Sequence, residues 1–286
     1  MRLWERYVCN SGNPALQTAL NVFLVGVVLF GSLVTPASGY SQGDLTPFQA
    51  EIEKQRQRLG SEDIEERRDA VMRLGAMNHP EASRVALRAL SDTSAIIRAT
   101  AAAAILWLRS EDAAAALIPN LKDKEEFVRQ ESAYALGRTR SRAALAPLIS
   151  LFESDKKPGV RSAAAVALGQ LGDQTAVDPL LKALFAQAAG RDSKKSIREK
   201  NPFLLRAAAR SLGQIGSRRA VPALLATVEN EALPEDVRRE AANALGAIGD
   251  PSATATLRAM LTTPDPYLSR AAYDALRKIE FQNRQR

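Results

Sequence analysis

The 286-residue chain has very little cysteine and histidine, with one residue of each, Cys9 and His79. A disulfide framework needs at least two cysteines, and most structural zinc sites and nucleophile–histidine pairs draw on the same two residue types. The sequence also contains no P-loop, GxSxG or HExxH string. These absences argue against an enzyme, and we expect no catalytic residue, no metal site and no cofactor.

Aromatic residues are scarce too, at 5% of the chain, whereas 46% is hydrophobic and alanine occurs in blocks such as Ala101 to Ala104. Small side chains of high helix propensity favour closely packed helices over a sheet with bulky faces. The composition therefore predicts an all-α protein. The formal net charge of +7 is spread along the chain and mostly accompanied by acidic residues, so we expect no nucleic-acid partner.

The N-terminal segment carries no charged side chain between Arg6 and Asp44, and residues 19–34 are almost wholly apolar. This run is shorter than the roughly 20 residues that span a bilayer, and small residues suited to a signal peptidase follow it. It predicts a signal peptide over residues 1–39 and export to the periplasm or an equivalent lumen. An uncleaved membrane anchor formed by residues 19–34 is the alternative. Removal of the leader would also remove Cys9, which suits an oxidising compartment.

The rest of the sequence repeats itself. The strings FVRQESAYALG, GVRSAAAVALG and DVRREAANALG occur at residues 127–137, 159–169 and 236–246. A leucine or isoleucine marks the same position in seven copies, at spacings of 31, 31, 32, 44, 33 and 31 residues: Leu74, Ile105, Leu136, Leu168, Leu212, Leu245 and Leu276. A period of this length corresponds to one helical hairpin.

A second amphipathic pattern lies between the copies, with apolar residues at i, i+3, i+4 and i+7, as in residues 145–152. A single hairpin cannot bury both apolar faces, so the copies must stack. The fold class is therefore predicted to be all-α, a right-handed α-solenoid of about six hairpins between His79 and Ile279. Glycines mark the helix ends after three of the copies: Gly172, Gly216 and Gly249.

Two helices are predicted ahead of the hairpins. A lone helix runs from Glu62 to Ala76, and a capping helix ends at Leu59, with Thr46 as its N-cap and Pro47 in its first turn. The predicted organisation is then a linker and capping helix over residues 40–60 and a solenoid over residues 61–286.

The repeated string resembles the HEAT-repeat family, in particular the short alanine-rich HEAT-like repeats of phycobilin lyases, from residue 62 to about residue 279. An arginine lies seven residues before the marker leucine in five copies. In that family an aspartate and this arginine form a hydrogen-bonded ladder along the turns, and the resemblance implies the same structural role here for Asp92 with Arg98, Asp123 with Arg129, and Asp155 with Arg161. The resemblance implies the fold and leaves the activity open, since this repeat serves many roles.

In such stacks the helices that carry the arginine line the concave side. Counting from the residue before the arginine, offsets +2, +3 and +6 are predicted to point away from the core. This ridge is mostly small and apolar in its first half and carries four arginines in its second. We expect it to bind a protein partner, through an acidic or extended segment, at Gln130, Tyr134, Arg206, Arg210, Arg239 and Arg270.

The spacing of 44 residues marks an insertion at about residues 186–201, which is rich in basic side chains. Loops that interrupt a regular repeat often carry binding residues, so Lys194, Lys195 and Arg198 are added to the candidate partner-binding set. Trp107 is predicted to be a core side chain of the second hairpin.

The leading functional hypothesis is an exported, non-enzymatic protein-interaction scaffold. Two alternatives stay open at this point: a bilin lyase-like, pigment-handling protein, and a membrane-tethered assembly factor that keeps its leader.

Overall fold

The computed structural model describes residues 45–188 and 201–285. The predicted leader, and Lys194, Lys195 and Arg198 of the insertion, lie outside the described residues. The chain divides into two compact units, residues 1–50 and 51–286, and the first is described only from residue 45 onward.

The described residues form fourteen α-helices and contain no β-strand. In chain order the helices are α1 Pro47–Arg58, α2 Ile64–Ala76, α3 Pro80–Ala86, α4 Ala95–Ala104, α5 Ser110–Leu117, α6 Glu126–Thr139, α7 Leu145–Ser154, α8 Pro158–Leu171, α9 Val177–Ala188, α10 Pro202–Ile215, α11 Val221–Glu229, α12 Glu235–Ile248, α13 Thr254–Ala259 and α14 Pro266–Arg284. The predicted all-α solenoid is confirmed.

Helix α1 begins with a reciprocal cap. The Gln49 backbone N–H donates to Thr46 Oγ1 at 3.2 Å, and the Thr46 backbone N–H donates to Gln49 Oε1 at 3.1 Å. Two N–H groups of the first turn that have no partner within a helix are satisfied in this way. The Thr-Pro-Phe-Gln sequence therefore fixes where the helix starts.

The helices alternate between two roles. We call α2, α4, α6, α8, α10, α12 and α14 the inner helices, because they carry the repeated string and each packs along its length against the next one. We call α3, α5, α7, α9, α11 and α13 the outer helices, which pack mainly against the inner ones. All seven marker residues of the repeat are buried between the two layers. Neighbouring inner helices approach each other more closely than neighbouring outer helices do. The exposed side of the inner layer is therefore the concave face.

The glycine of the ALG string allows this close approach. A Cβ atom placed on Gly213 would lie 2.7 Å from the Ala244 Cα of the next inner helix, and one on Gly246 would lie 2.6 Å from the Ala275 Cα. Real Cβ atoms essentially never come so close to another carbon. The repeated glycine is therefore a packing residue, and it lets neighbouring inner helices touch backbone to backbone.

The glycines after α8, α10 and α12 end those helices in the left-handed conformation, as predicted. Their φ angles are 70°, 72° and 73°, and each donates its N–H to the marker leucine of its own helix. A side chain would be strained at these angles, which explains why glycine follows these three helices.

Two details of the predicted core are wrong. Trp107 is 50% exposed, because α4 ends at Ala104 and Leu108 packs against the core in its place. Four alanines of the ridge that were predicted to face outward, one at offset +2 and three at offset +3, are buried because they lie where one inner helix meets the next: Ala99, Ala163, Ala207 and Ala271.

Candidate binding site on the concave face

In the N-terminal repeats, each repeated arginine forms a double bridge to the aspartate of the following repeat. The arginine Nε donates to Oδ2 at 2.9, 2.7 and 2.7 Å, and Nη2 donates to Oδ1 of the same carboxylate, in three successive pairs: Arg67 to Asp92, Arg98 to Asp123, and Arg129 to Asp155. These side chains are largely buried, so the bidentate geometry links one repeat rigidly to the next.

Each arginine also bonds the turn of its own repeat. Nη1 of Arg129 donates to the carbonyl oxygens of Asp123 and Lys124, at 2.8 and 3.2 Å. The carboxylate of Asp123 accepts the backbone N–H of Glu125 at 2.9 Å, at the start of α6. The register of the ladder therefore differs from the one that the family resemblance implied: the arginine meets its own aspartate through the backbone and the next aspartate through the side chain.

Arg161 does not form the predicted ladder pair with Asp155. Its Nε donates to the Phe152 carbonyl oxygen at 2.8 Å and its guanidinium lies 5.8 Å from the Phe152 ring centre, while no described carboxylate lies within 4 Å of it. The aspartate position of the next repeat is Glu199, in the insertion and outside the described residues. The ladder thus extends from Arg67 to Asp155 in the part of the chain that the structure describes.

The ladder lowers the pKa of its aspartates. Hydrogen bonds from Arg98 are the largest cause of the lowered pKa of Asp123, and they outweigh its burial. For Asp155, burial is the largest single influence and would raise the pKa, but the bonds from Arg129 and from the Lys157 backbone N–H together lower it. These carboxylates stay ionised because their charge is bonded in the folded state.

The C-terminal repeats arrange the same residue types differently. Arg238, at the ladder position, donates from Nε to the Val228 carbonyl oxygen at 2.8 Å, and no described carboxylate lies within 4 Å of it. The bridge to the next repeat comes from the following residue: Arg239 Nε and Nη2 each donate to Asp265 at 2.8 Å. One residue is about 100° around a helix, so the bridge moves from the turns onto the concave face.

All four arginines of the predicted partner-binding ridge have a carboxylate within the chain. The nearest N–O distances are 2.8, 3.7, 2.8 and 3.0 Å for Arg206 to Asp236, Arg210 to Glu240, Arg239 to Asp265 and Arg270 to Asp274. Each of the four guanidinium groups therefore already has a carboxylate partner in the folded chain, and the binding of an acidic or extended segment at these residues stays a prediction.

Several predicted residues do meet at one place. A cleft of about 390 Å³ crosses four inner helices on the concave face and is lined by Tyr134, Ser162, Val166, Phe203, Arg206, Ala207, Arg210, Asp236, Arg239 and Glu240. Of the candidate set, Gln130 and Arg270 lie outside its lining. Tyr134 is half-buried and packs against the core, so it supplies part of the floor.

Two aromatic residues were not predicted: Phe203, which lines this cleft, and Tyr267, which lies against its lining residue Arg239. Phe203 is 66% exposed and Tyr267 is 69% exposed, in the first turns of α10 and α14. The Arg206 guanidinium lies 5.6 Å from the Phe203 ring centre, and that of Arg239 lies 4.9 Å from the Tyr267 ring centre. Both rings occupy offset −1, one helical turn before the first ridge position at offset +2. Phe127 is a third aromatic residue at offset −1, so the repeat itself indicates this position.

A larger cleft, of about 760 Å³, lies against α7 and the turns that precede α6 and α8. Apolar side chains such as Leu121 and Leu151 line it together with Lys122, Lys156 and the ladder residue Arg129. It contains none of the predicted partner-binding residues. Across the described residues, no group of three or more His, Cys, Asp or Glu side chains could hold a metal ion, and none of the helices has the length and hydropathy of a membrane span.

Comparison with known families is decisive for the fold. The family model of HEAT repeats matches residues 52–137, 118–192 and 193–277. The chain belongs to the HEAT-repeat family. No curated protein sequence matches the chain significantly.

Solved structures are similar at low sequence identity. Human deoxyhypusine hydroxylase in complex with glycerol is 22% identical, over 81% of this chain and 96% of its own, with a TM-score of 0.39. The complex of CpcE and CpcF of phycocyanin lyase from Nostoc sp. PCC7120 is 21% identical, over 85% and 97%, with a TM-score of 0.49. The karyopherin Kap121p, bound to the extreme C-terminus of the phosphatase Cdc14p, is 15% identical, over 94% and 33%, with a TM-score of 0.59. At these identities the likeness concerns the fold alone.

Proposed function

We propose that this HEAT-repeat protein is a non-enzymatic scaffold that binds a partner protein along the concave face of its C-terminal repeats. The observation that carries the proposal is the pair of exposed rings, Phe203 and Tyr267, each lying against an arginine at the edge of the same cleft. Aromatic residues and arginine are the residue types most enriched where protein partners bind tightly.

An extended segment of the partner is the form of ligand that the site supports best. An acidic segment would have to compete with Asp236 and Asp265, which already bond Arg206 and Arg239 at 2.8 Å. An extended chain can instead lie across several parallel helices and contact each in turn. Kap121p, which has a similar fold, binds the terminus of another protein, so a solenoid of this kind can hold such a segment.

We further propose that the scaffold works outside the cytoplasm. This part of the proposal rests on the apolar leader at residues 19–34 and the small residues after it. N-terminal sequencing of the mature protein should begin near Ser38 or Tyr40, in a periplasmic or equivalent lumenal fraction. A membrane-bound protein that starts at Met1 would contradict export and favour the tethered alternative.

Photocrosslinking in cells tests the binding face. A photoreactive amino acid at Ser162, inside the cleft, should capture a specific partner, whereas the same amino acid at Lys182 on outer helix α9 should not. The captured protein is identified by mass spectrometry, and Phe203→Ala should reduce the yield at Ser162. Equal capture at both positions would contradict the proposed face, and visible absorbance of the purified protein would favour a pigment-handling role instead.

A further inference from the structure

Phe203 and Tyr267 belong to one continuous row of contacts across three inner helices. Arg206 stacks on Phe203 within α10 and bonds Asp236 on α12 at 2.8 Å. Arg239, one turn along from Asp236, stacks on Tyr267 of α14 and bonds Asp265. We call these five residues, Phe203, Arg206, Asp236, Arg239 and Tyr267, the aromatic row. It ends in an exposed ring at each side and has charged groups only between them.

The charges of the row are balanced within the chain. Arg206 is paired with Asp236, and Arg239 is paired with both Asp265 and Glu235. A partner carboxylate would meet guanidinium groups that already hold one, and a partner cation would meet carboxylates that are already bonded. The electrostatic complement of this surface is therefore a segment with no charge of its own, which can still bond the row through its backbone.

The same pairs hold the row in place before any partner arrives. The bidentate bond to Asp265 fixes the Arg239 guanidinium, and this group covers one side of the Tyr267 ring at 4.9 Å. With 69% of Tyr267 still exposed, the rest of the ring is open to solvent. A ring that is already oriented loses little conformational entropy on binding, which makes it an effective anchor for an apolar side chain.

The spacing of the two rings sets the spacing of the partner's side chains. Packed helices lie about 8 to 10 Å apart, so Phe203 and Tyr267, two helices apart, are separated by roughly 16 to 20 Å along the concave face. An extended chain advances about 3.3 Å per residue, and side chains on the same face are an even number of residues apart. Six residues span about 20 Å, whereas four span only about 13 Å.

We propose that the partner segment is an extended, uncharged peptide with two apolar side chains six residues apart, one packing on Phe203 and the other on Tyr267. This inference rests on the proposed function, because it names the partner chemistry of the same site. Of the acidic or extended segment that the sequence predicted, it keeps the extended form and drops the acidic charge, and salt separates the two chemistries. Binding by apolar anchors changes little with ionic strength, whereas binding by exposed charges weakens.

The test uses the purified protein, as processed by the cell, and three fluorescein-labelled peptides of equal length. The first has leucines six residues apart in a Ser/Thr background, the second has them five apart, and the third has the first spacing with glutamates in place of serines. Anisotropy should show the first peptide binding at least about tenfold more tightly than the other two, the scale of one well-packed side chain. Its Kd should change less than about twofold between roughly 50 and 500 mM NaCl.

Two variants and a matched control locate the binding. Phe203→Ala and Tyr267→Ala should each weaken the first peptide about tenfold with unchanged helical circular dichroism, since both rings are exposed. Phe185→Ala, which removes a ring of 50% exposure on outer helix α9, should leave the Kd unchanged.

Other outcomes overturn the inference in distinguishable ways. If the glutamate peptide binds best, or the five-residue spacing binds equally well, the partner chemistry is wrong, while sensitivity to Phe203→Ala would keep the concave face as the binding surface. Failure of all three peptides to bind also overturns the stated chemistry. If crosslinking at Ser162 finds no specific partner either, the proposed function fails with it.

Discussion

The two halves of the solenoid use the same repeated arginine in different ways. From α2 to α8, the arginines Arg67, Arg98 and Arg129 lock neighbouring turns together through buried double bridges. From α8 to α14, Arg161 and Arg238 turn back to backbone carbonyl oxygens of their own repeats. From α10 to α14, neighbouring repeats are linked instead by ion pairs on the concave face. The comparison shows that the repeat does not fix where an arginine–aspartate link between neighbours lies.

The position of the link decides what the concave face can bind. In the first half the arginine–aspartate pairs lie at the turns, and inner helix α4 presents small residues such as Thr100 and Ala103. In the second half the link itself is part of the face, where it orients Arg206 and Arg239 against exposed rings. A structural device of the repeat thus becomes part of the candidate site.

Acid should separate the two halves most strongly, because three such bridges are lost together in the first half against one, Arg239 to Asp265, in the second. The pKa of Asp92, Asp123 and Asp155 is lower in the folded protein than the usual value of about 3.9. The bonds of these aspartates therefore stabilise the fold fully above about pH 4. Their contribution is lost as the pH falls below 4 and through the pKa values of the folded protein. We expect the free energy of unfolding to fall steeply below about pH 4.

Pepsin can assign the acid effect to a region, since it cleaves at low pH. The first cuts should fall between residues 61 and 157, where the ladder lies, and Asp123→Asn should show a shallower fall of stability with pH than the parent. First cuts after residue 201 would show that the ladder is not the acid-sensitive link.

Substitution of the packing glycine should have the largest single-residue effect, in the C-terminal half. Gly213→Val places atoms where Ala244 already lies, 2.7 Å from the new Cβ position, and should cost about 3 kcal/mol of stability through overpacking. Gly75→Val is the matched N-terminal change. There the nearest atom, Ala104 Cα, is 3.1 Å away and belongs to the last residue of α4, so roughly 1 kcal/mol is expected. Urea denaturation measures both, and equal losses would refute the difference in packing.

The fold could be predicted from the sequence because the buried positions that stabilise it recur periodically along the chain. The six marker leucines and Ile105 recur with the period of a helical hairpin, and all seven are buried as that pattern requires. Trp107 was misassigned because it lies at offset +10 from Ile97, whereas Leu108 at offset +11 packs against the core. Helix α4 stops at Ala104 and Leu106 takes the position of the packing glycine, so the chain after it leaves the helical register.

The candidate site was only partly predictable, because it depends on pairs between helices. The sequence placed Arg206, Arg210 and Arg239 on one ridge, and the structure brings all three to the cleft. Their carboxylate partners are 26 to 30 residues away, and periodicity within one helix carries no information about which neighbour they meet. Phe203 and Tyr267 were not predicted for a simpler reason. They lie at offset −1, whereas the predicted ridge begins at offset +2.

Removal of a ladder arginine should have an intermediate effect. Arg129→Ala leaves Asp155 buried without its bidentate partner and should cost on the order of 1 to 3 kcal/mol, with no loss of partner binding beyond that of folding. Arg161→Ala is the control, because it removes a bond to one carbonyl oxygen and no ion pair to a described carboxylate, and a smaller loss is expected. Thermal and urea unfolding measure stability. Unchanged stability of Arg129→Ala with lost binding would make this arginine a binding residue.

The smallest effect on stability is expected from an ion pair within one helix, which does not link neighbouring repeats. Arg270 and Asp274 are one turn apart on α14, with an N–O distance of 3.0 Å, and the arginine side chain is exposed. Exposed pairs of this kind contribute only about 0.3 to 0.5 kcal/mol, because water screens them and both side chains lose entropy. Arg270→Ala should therefore leave the urea midpoint almost unchanged, and any change in partner binding would then report contact and not folding.

Arg270 lies outside the cleft and the aromatic row, so we expect binding of the six-residue-spaced peptide to change less than about twofold. A tenfold loss would extend the site beyond Tyr267 toward the C-terminus, and a stability loss above about 1 kcal/mol would mean that α14 depends on this pair.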